Sequence, residues 1–206
     1  MRNLIIDLDA IAYNLDVMRQ RAGGVKVCGV VKANAYGHGM IEVARKLEEA
    51  GVDYLGVADV AEALELRRAG IDAPILAWLH DPHEMFVEAV NEGIELGLAN
   101  EDHLARVAAA AEITGRLARV HLKVDTGLNR NGASAAEWEG VLRQARALVA
   151  EGFIQVVGIF SHLSSTGEAE DLAQIARFDA AVEIARESGL QFELRHLTAS
   201  DGSLNY

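Results

Sequence analysis

The sequence predicts an α/β protein of the (β/α)8 TIM-type barrel class, incomplete, with about seven βα units. Three observations carry this expectation. Short Val/Ile/Leu-rich runs alternate with longer amphipathic stretches over nearly the whole chain, the pattern of βα units on a parallel sheet. The series shows no reversal point of the kind that an open doubly wound sheet needs. No proline- or glycine-rich linker interrupts residues 1–206, so one continuous domain is expected.

Taken in order, residues 4–7 are expected as an extra strand outside the barrel, followed by a helix capped near Asp9. Strands are expected at 26–32, 53–58, 74–79, 94–99, 119–125, 154–162 and 192–200. Cys28, Gly29, Val30 and Val31 read as a fully buried strand, and a helix opens near Met40. Two later helices show core-facing stripes, one of Trp138, Val141, Leu142, Ala145, Leu148 and Val149, the other of Leu172, Ile175, Phe178, Val182 and Ala185. Pro74 is placed at a strand start and Pro82 at a helix start, where proline is tolerated. An eight-stranded barrel takes about 250 residues. The chain is therefore expected to stop before its last strand.

Half of the 206 residues are apolar, enough for a substantial core. The formal charge of −12 argues against nonspecific binding to nucleic acid or anionic membrane. A single cysteine, Cys28, excludes a disulfide framework and reads as a buried structural thiol. The start of the chain acquires charge too soon for a signal peptide, and no apolar run approaches the roughly 18 residues of a membrane span. A cytoplasmic protein is expected. The histidines form no metal site: His80 and His83 flank Pro82, and His103 has no partner at ligand spacing.

The chemistry concentrates at strand ends, where barrels keep their working residues. The run Val30-Val31-Lys32-Ala33-Asn34-Ala35-Tyr36-Gly37-His38-Gly39 sets a lysine at the end of an apolar strand against a glycine-punctuated turn. An amine desolvated there has a lowered pKa and can attack an aldehyde. Ordinary α/β turns use the same residue types. The fifth strand ends Lys123-Val124-Asp125-Thr126-Gly127-Leu128-Asn129-Arg130, the sixth at Ser161-His162, and the seventh at His196-Leu197-Thr198-Ala199-Ser200. Read bare, Lys123 could pair with Asp125, Arg130 could be a solvated loop residue, and His162 a satisfied core histidine.

The runs around Lys32 and from Lys123 to Gly132 both resemble the alanine racemase family, in the family's order. That resemblance implies a barrel that binds pyridoxal 5'-phosphate, with Lys32 as its Schiff-base lysine. It implies that Tyr36 and Ser200 contact the phosphate, that Arg130 bonds the phenolic oxygen, and that His162 lies beside the ring. Lys123 would be the lysine that is carbamylated in many members. Ala199 departs from the family's asparagine. The implied activity is interconversion of L- and D-alanine, with Lys32 as one base and His162 in the network under the ring. The family takes its second base from a C-terminal β domain of the partner subunit in a homodimer, beyond Tyr206 in its pattern. The 206 residues alone are therefore expected not to racemise alanine. A noncatalytic pyridoxal-phosphate-binding barrel, or a racemase for serine or for many amino acids, would share these motifs.

Overall fold

The computed structural model describes residues 3–206. Seven parallel strands alternate with helices as an incomplete (β/α)8 barrel fold, and the chain divides into two compact units, Met1–Glu84 and Met85–Tyr206.

The first unit contains α1 (Leu8–Arg21), β1 (Cys28–Val30), α2 (Lys32–Gly37), α3 (Met40–Glu49), β2 (Tyr54–Val57), α4 (Val60–Arg68) and β3 (Ile75–Ala77). Its strands pair in sequence order, β1 with β2 and β2 with β3, all parallel. Leu47 of α3, Leu66 of α4 and the strand residues Leu55, Val57 and Ile75 form its core. The expected leading strand is absent: residues 3–7 form no strand. Asp7 instead starts α1, its carboxylate accepting from the Ala10 amide at 3.0 Å. Asp9, one turn inside, pairs with Lys46 of α3 at 2.5 Å.

The expected full burial of β1 also fails, since Cys28 is exposed and Val30 is 39% exposed. The reason is pairing. Within its unit β1 has a neighbour on one side only, and its residues alternate between faces. Gly29 points at Leu47 of α3, where a Cβ would come within 2.8 Å, whereas Cys28 and Val30 point to the other face of the sheet. Pro82 lies in a turn that Asp81 closes, its carbonyl accepting from Glu84 at 2.9 Å and its carboxylate from the His83 amide at 2.8 Å. It does not start a helix.

The second unit contains α5 (Val87–Asn91), β4 (Glu95–Leu98), α6 (Glu101–Thr114), β5 (Ala118–Lys123), α7 (Ala135–Ala150), β6 (Ile154–Phe160), α8 (Glu168–Glu187), β7 (Leu194–His196) and α9 (Ser200–Asn205). Strands β4 to β7 pair in sequence order, all parallel. Leu96, Leu98, Val120, Leu122, Ile154 and Ile159 are sealed beneath α6, α7 and α8. Trp138 of α7 is buried and donates from its indole nitrogen to the Ala181 carbonyl of α8 at 3.0 Å, tying the two helices together.

The stripe expected on α8 is only partly right. Phe178, Val182 and Ala185 are buried, but Leu172 is half exposed, and Asp171 and Gln174 are buried in its place. They hold the loop after β6. Gln174 accepts from the Ser164 amide at 2.9 Å and donates to its hydroxyl at 2.8 Å, and Asp171 accepts from the Ser165 amide at 3.0 Å. No helix among the described residues is long and apolar enough to cross a membrane.

Candidate active site

Lys32 lies two residues past the end of β1 and is half-buried. The turn that carries it is unusual. Ala33, Asn34, Ala35 and Tyr36 all have left-handed backbone angles, with φ of 52°, 55°, 51° and 55°. Left-handed helical geometry costs an L-residue roughly 1–2 kcal/mol, and side-chain-bearing residues adopt it singly rather than in runs. Four in succession mark a segment that its surroundings must hold. Several bonds do so. The Ala35 amide donates to the Val31 carbonyl at 2.8 Å, and Gly39 to the Asn34 carbonyl at 3.0 Å. The Asn34 side chain accepts from the Met40 amide at 2.8 Å, which also starts α3. His38 donates from Nδ1 to the Ala35 carbonyl at 2.8 Å. The turn brings Tyr36 back beside the lysine: Nζ of Lys32 lies 6.0 Å from the Tyr36 ring centre, and the ring is 63% exposed.

In the second unit the candidates sit at neighbouring strand ends. Ser161, at the end of β6, shares a hydrogen bond with Thr126 beyond β5 at 2.9 Å, and its amide donates to the His196 carbonyl of β7 at 3.1 Å. These bonds set the starts of the Arg130 loop, the His162 segment and the Ser200 segment side by side. The loop after β5 is pinned at its base, where the Asp125 amide donates to the Ala133 carbonyl at 2.8 Å and the Ala133 amide to the Lys123 carbonyl at 2.9 Å. Asp125 closes the turn by accepting from the Gly127 and Asn129 amides. Gly132 is required there, since a Cβ would come within 2.7 Å of the Asp125 nitrogen. Arg130 at the loop tip is exposed, and Ser200 is exposed at the start of α9. His162 is half-buried and donates from Nδ1 to the Leu163 carbonyl at 2.8 Å. Lys123 is buried, with Nζ 5.3 Å from the Phe160 ring centre.

Residues 6–206 match the family described as "Alanine racemase, N-terminal domain". The chain belongs to this family. It is 45% identical over 198 residues to the alanine racemase of Thermobifida fusca, which covers 95% of this chain and 53% of that protein. It is 44% identical over 203 residues to that of Mycolicibacterium smegmatis, covering 97% and 52%. Among solved structures, the alanine racemase of the D-cycloserine-producing Streptomyces lavendulae superposes with a TM-score of 0.94 at 40% identity, over 96% of this chain and 53% of that one. The Bacillus anthracis alanine racemase with bound L-Ala-P gives a TM-score of 0.87 at 27% identity, over 98% and 52%. The chain spans about half the length of the curated relatives it matches.

Taken by itself, each unit presents side chains of the chemical kinds that can hold an anionic, aldehyde-bearing group. The first unit offers the Lys32 amine and the exposed Tyr36 phenol, and the second an exposed guanidinium at Arg130, the His162 imidazole and the exposed Ser200 hydroxyl. Ala199, in the family's asparagine position, brings no side-chain hydrogen bond to the start of α9.

Sequence reasoning missed a polar chain in the second unit, of which Glu95 and His121 are buried. Arg119 of β5 donates to Glu95 of β4 at 2.8 Å. The other Glu95 oxygen meets Nε2 of His121 at 2.7 Å, and Nδ1 of His121 meets Nε2 of His196 at 3.0 Å. Phe160 stacks on His196, 4.7 Å between centres and 10° from parallel. The meeting depends on Gly158. A bulge shifts the register of β5 on β6 at Val120/His121, and a Cβ on Gly158 would come within 2.8 Å of His121 Nδ1. A cleft of about 760 Å³ opens at the opposite ends of these strands, between Leu117, Arg146 and Phe192, and none of the groups named above lines it.

Burial, reinforced by the electrostatic influence of neighbouring His121 and Lys123, pushes the His196 imidazole down to about 3. Burial alone would raise the Glu95 carboxyl, but the bonds from His121 and Arg119 outweigh it and hold it below the ordinary range. The His196 ring is thus neutral in the fold and protonates first in the unfolded chain, so stability falls as pH drops below the ordinary histidine value of 6.5. The Glu95 contribution is lost only lower, as pH falls through its depressed folded value. Between pH 6.5 and 5 we expect His196 to cost about 2 kcal/mol of stability, read from urea midpoints. His103, also pushed down by burial, adds to the slope, so His196→Gln should flatten it without abolishing it.

Proposed function

We propose that residues 1–206 form the pyridoxal 5'-phosphate-binding barrel domain of an amino-acid racemase that interconverts L- and D-alanine. Membership of the alanine racemase family supports the reading, and the single observation that carries it is Lys32, at a strand end in a constrained left-handed turn beside Tyr36. When bound, pyridoxal phosphate supplies an electron sink that makes an amino acid's α-proton labile. The chain's residues supply placement and proton transfer.

Lys32 would hold the cofactor through Nζ and move a proton to or from the substrate α-carbon on one face. Tyr36 and Ser200 would donate from their hydroxyls to the phosphate. Arg130, permanently charged and planar, suits the phenolic oxygen. Lys123 would orient Arg130 as a carbamylated anion, and His162 would contact the ring. Inversion needs a second proton donor on the opposite face, and the family places it in a C-terminal β domain of the partner subunit. We therefore propose a homodimer for the complete protein, working in the cytoplasm.

The test is chiral chromatography of L-alanine and L-serine incubated with the full-length protein and pyridoxal phosphate, beside the 206-residue chain alone. We expect the full-length protein to racemise alanine faster than serine and the short chain to show no turnover. Cofactor binding without racemisation by the full-length protein would replace this reading with a noncatalytic carrier. Equal rates on both substrates would replace it with a broad-specificity racemase.

A further inference from the structure

We propose that Glu62 is a positioning residue for Lys32, clamping the left-handed turn in the conformation that presents the amine. The inference rests on the reading of Lys32 as the cofactor-linked lysine. Glu62 lies on α4, three residues after its N-cap Asp59, whose carboxylate accepts from the Glu62 amide at 2.9 Å. A glutamate there ordinarily turns back to the N-cap amide and completes a capping box. Glu137 of α7 does this, accepting from the Ser134 amide at 2.9 Å.

Glu62 is directed elsewhere. One oxygen accepts from the Ala58 amide, just past β2, at 2.8 Å, and the other from the Ala33 amide at 2.7 Å. Ala33 is the first left-handed residue and the one after Lys32. The carboxylate thus joins the end of β2 to the start of the strained run. Both of its oxygens are used as acceptors from backbone amides. Glutamine has the same shape but offers one acceptor oxygen and an NH2, so it can satisfy only one of the two amides. The proposal therefore requires the carboxylate and not merely a side chain of that size.

The experiment compares the full-length protein with Glu62→Gln, Glu62→Ala and Asp7→Ala, the last removing a cap elsewhere in the same unit. Three quantities are read: amide hydrogen exchange of a peptide spanning residues 32–39, the rate at which pyridoxal phosphate is captured on Lys32 (trapped with borohydride and mapped by mass spectrometry), and the thermal midpoint. Glu62→Gln should speed exchange at 32–39 and slow Lys32 capture, each by about tenfold, the scale of one lost charge-assisted hydrogen bond. Asp7→Ala should lower the midpoint with neither change. Exchange at 32–39 that stays the same in Glu62→Gln, or that rises equally in Asp7→Ala, overturns the proposal. Should Glu62→Ala fail to fold, Glu62→Gln decides. Absence of capture on Lys32 in the unaltered protein counts against the cofactor reading, and the exchange measurement still decides whether Glu62 clamps the turn.

Discussion

Lys32→Ala is expected to abolish covalent capture of pyridoxal phosphate and to lower racemisation by the full-length protein about 10³-fold or more. The size follows from the surroundings of the other lysines among the described residues. Lys46 is held by Asp9 at 2.5 Å, Lys26 lies over the Tyr54 ring, and Lys123 is buried. Position favours Lys32, whose turn holds Tyr36 beside it. The measurement is the visible absorbance of lysine-bound cofactor, followed by borohydride trapping and peptide mapping. If Lys32→Ala keeps that absorbance with the label on another lysine, the assignment of position 32 is wrong. Because Lys32 is half-buried at a sheet edge, its replacement should change the unfolding midpoint little. That separates lost chemistry from lost fold.

The largest expected effect on stability lies at Glu95. Glu95→Ala should destabilise the protein by about 3–5 kcal/mol, the scale for removing one partner of a buried charged pair. Glu95 and His121 are almost fully buried, and the carboxylate meets both His121 and Arg119. Deleting it removes the carboxylate that meets Nε2 of buried His121 at 2.7 Å and Nε of Arg119 at 2.8 Å. The loss should extend along the chain of bonds, because the orientation of His121 sets which His121 nitrogen faces His196. Urea unfolding of the variant at neutral pH measures it. A change below about 1 kcal/mol would mean that the cluster tolerates removal as an exposed ion pair does.

Much of the fold was legible because parallel strands buried on both faces read as apolar runs. All seven expected strands are present among the described residues, most of them shorter than expected and β5 starting one residue earlier, at Ala118. The misreadings concern residues whose surroundings are set by distant chain. The burial of β1 was misjudged because an apolar run does not reveal how many neighbours a strand has. The left-handed turn was hidden because Gly37 and Gly39 drew the attention that Ala33, Ala35 and Tyr36 warranted, and one of its contacts comes from Glu62, 29 residues on. Position at strand ends singled out Lys32, Lys123 and His162, whereas Arg130 and Ser200 became candidates through the family resemblance. The Glu95–His121–His196 chain was not legible, since each appears as one polar residue in a separate strand. Gly158 within an otherwise apolar strand was the available signal, because a glycine there marks a close approach by another group.

The distribution of the two tryptophans has a practical outcome. Trp78 belongs to the first unit and Trp138, bonded to Ala181, to the second. Each half of the chain therefore carries its own fluorophore. A Trp78→Phe chain would glow only from the Trp138 half, and a Trp138→Phe chain only from the other, so one spectrometer can follow the melting of each half in turn.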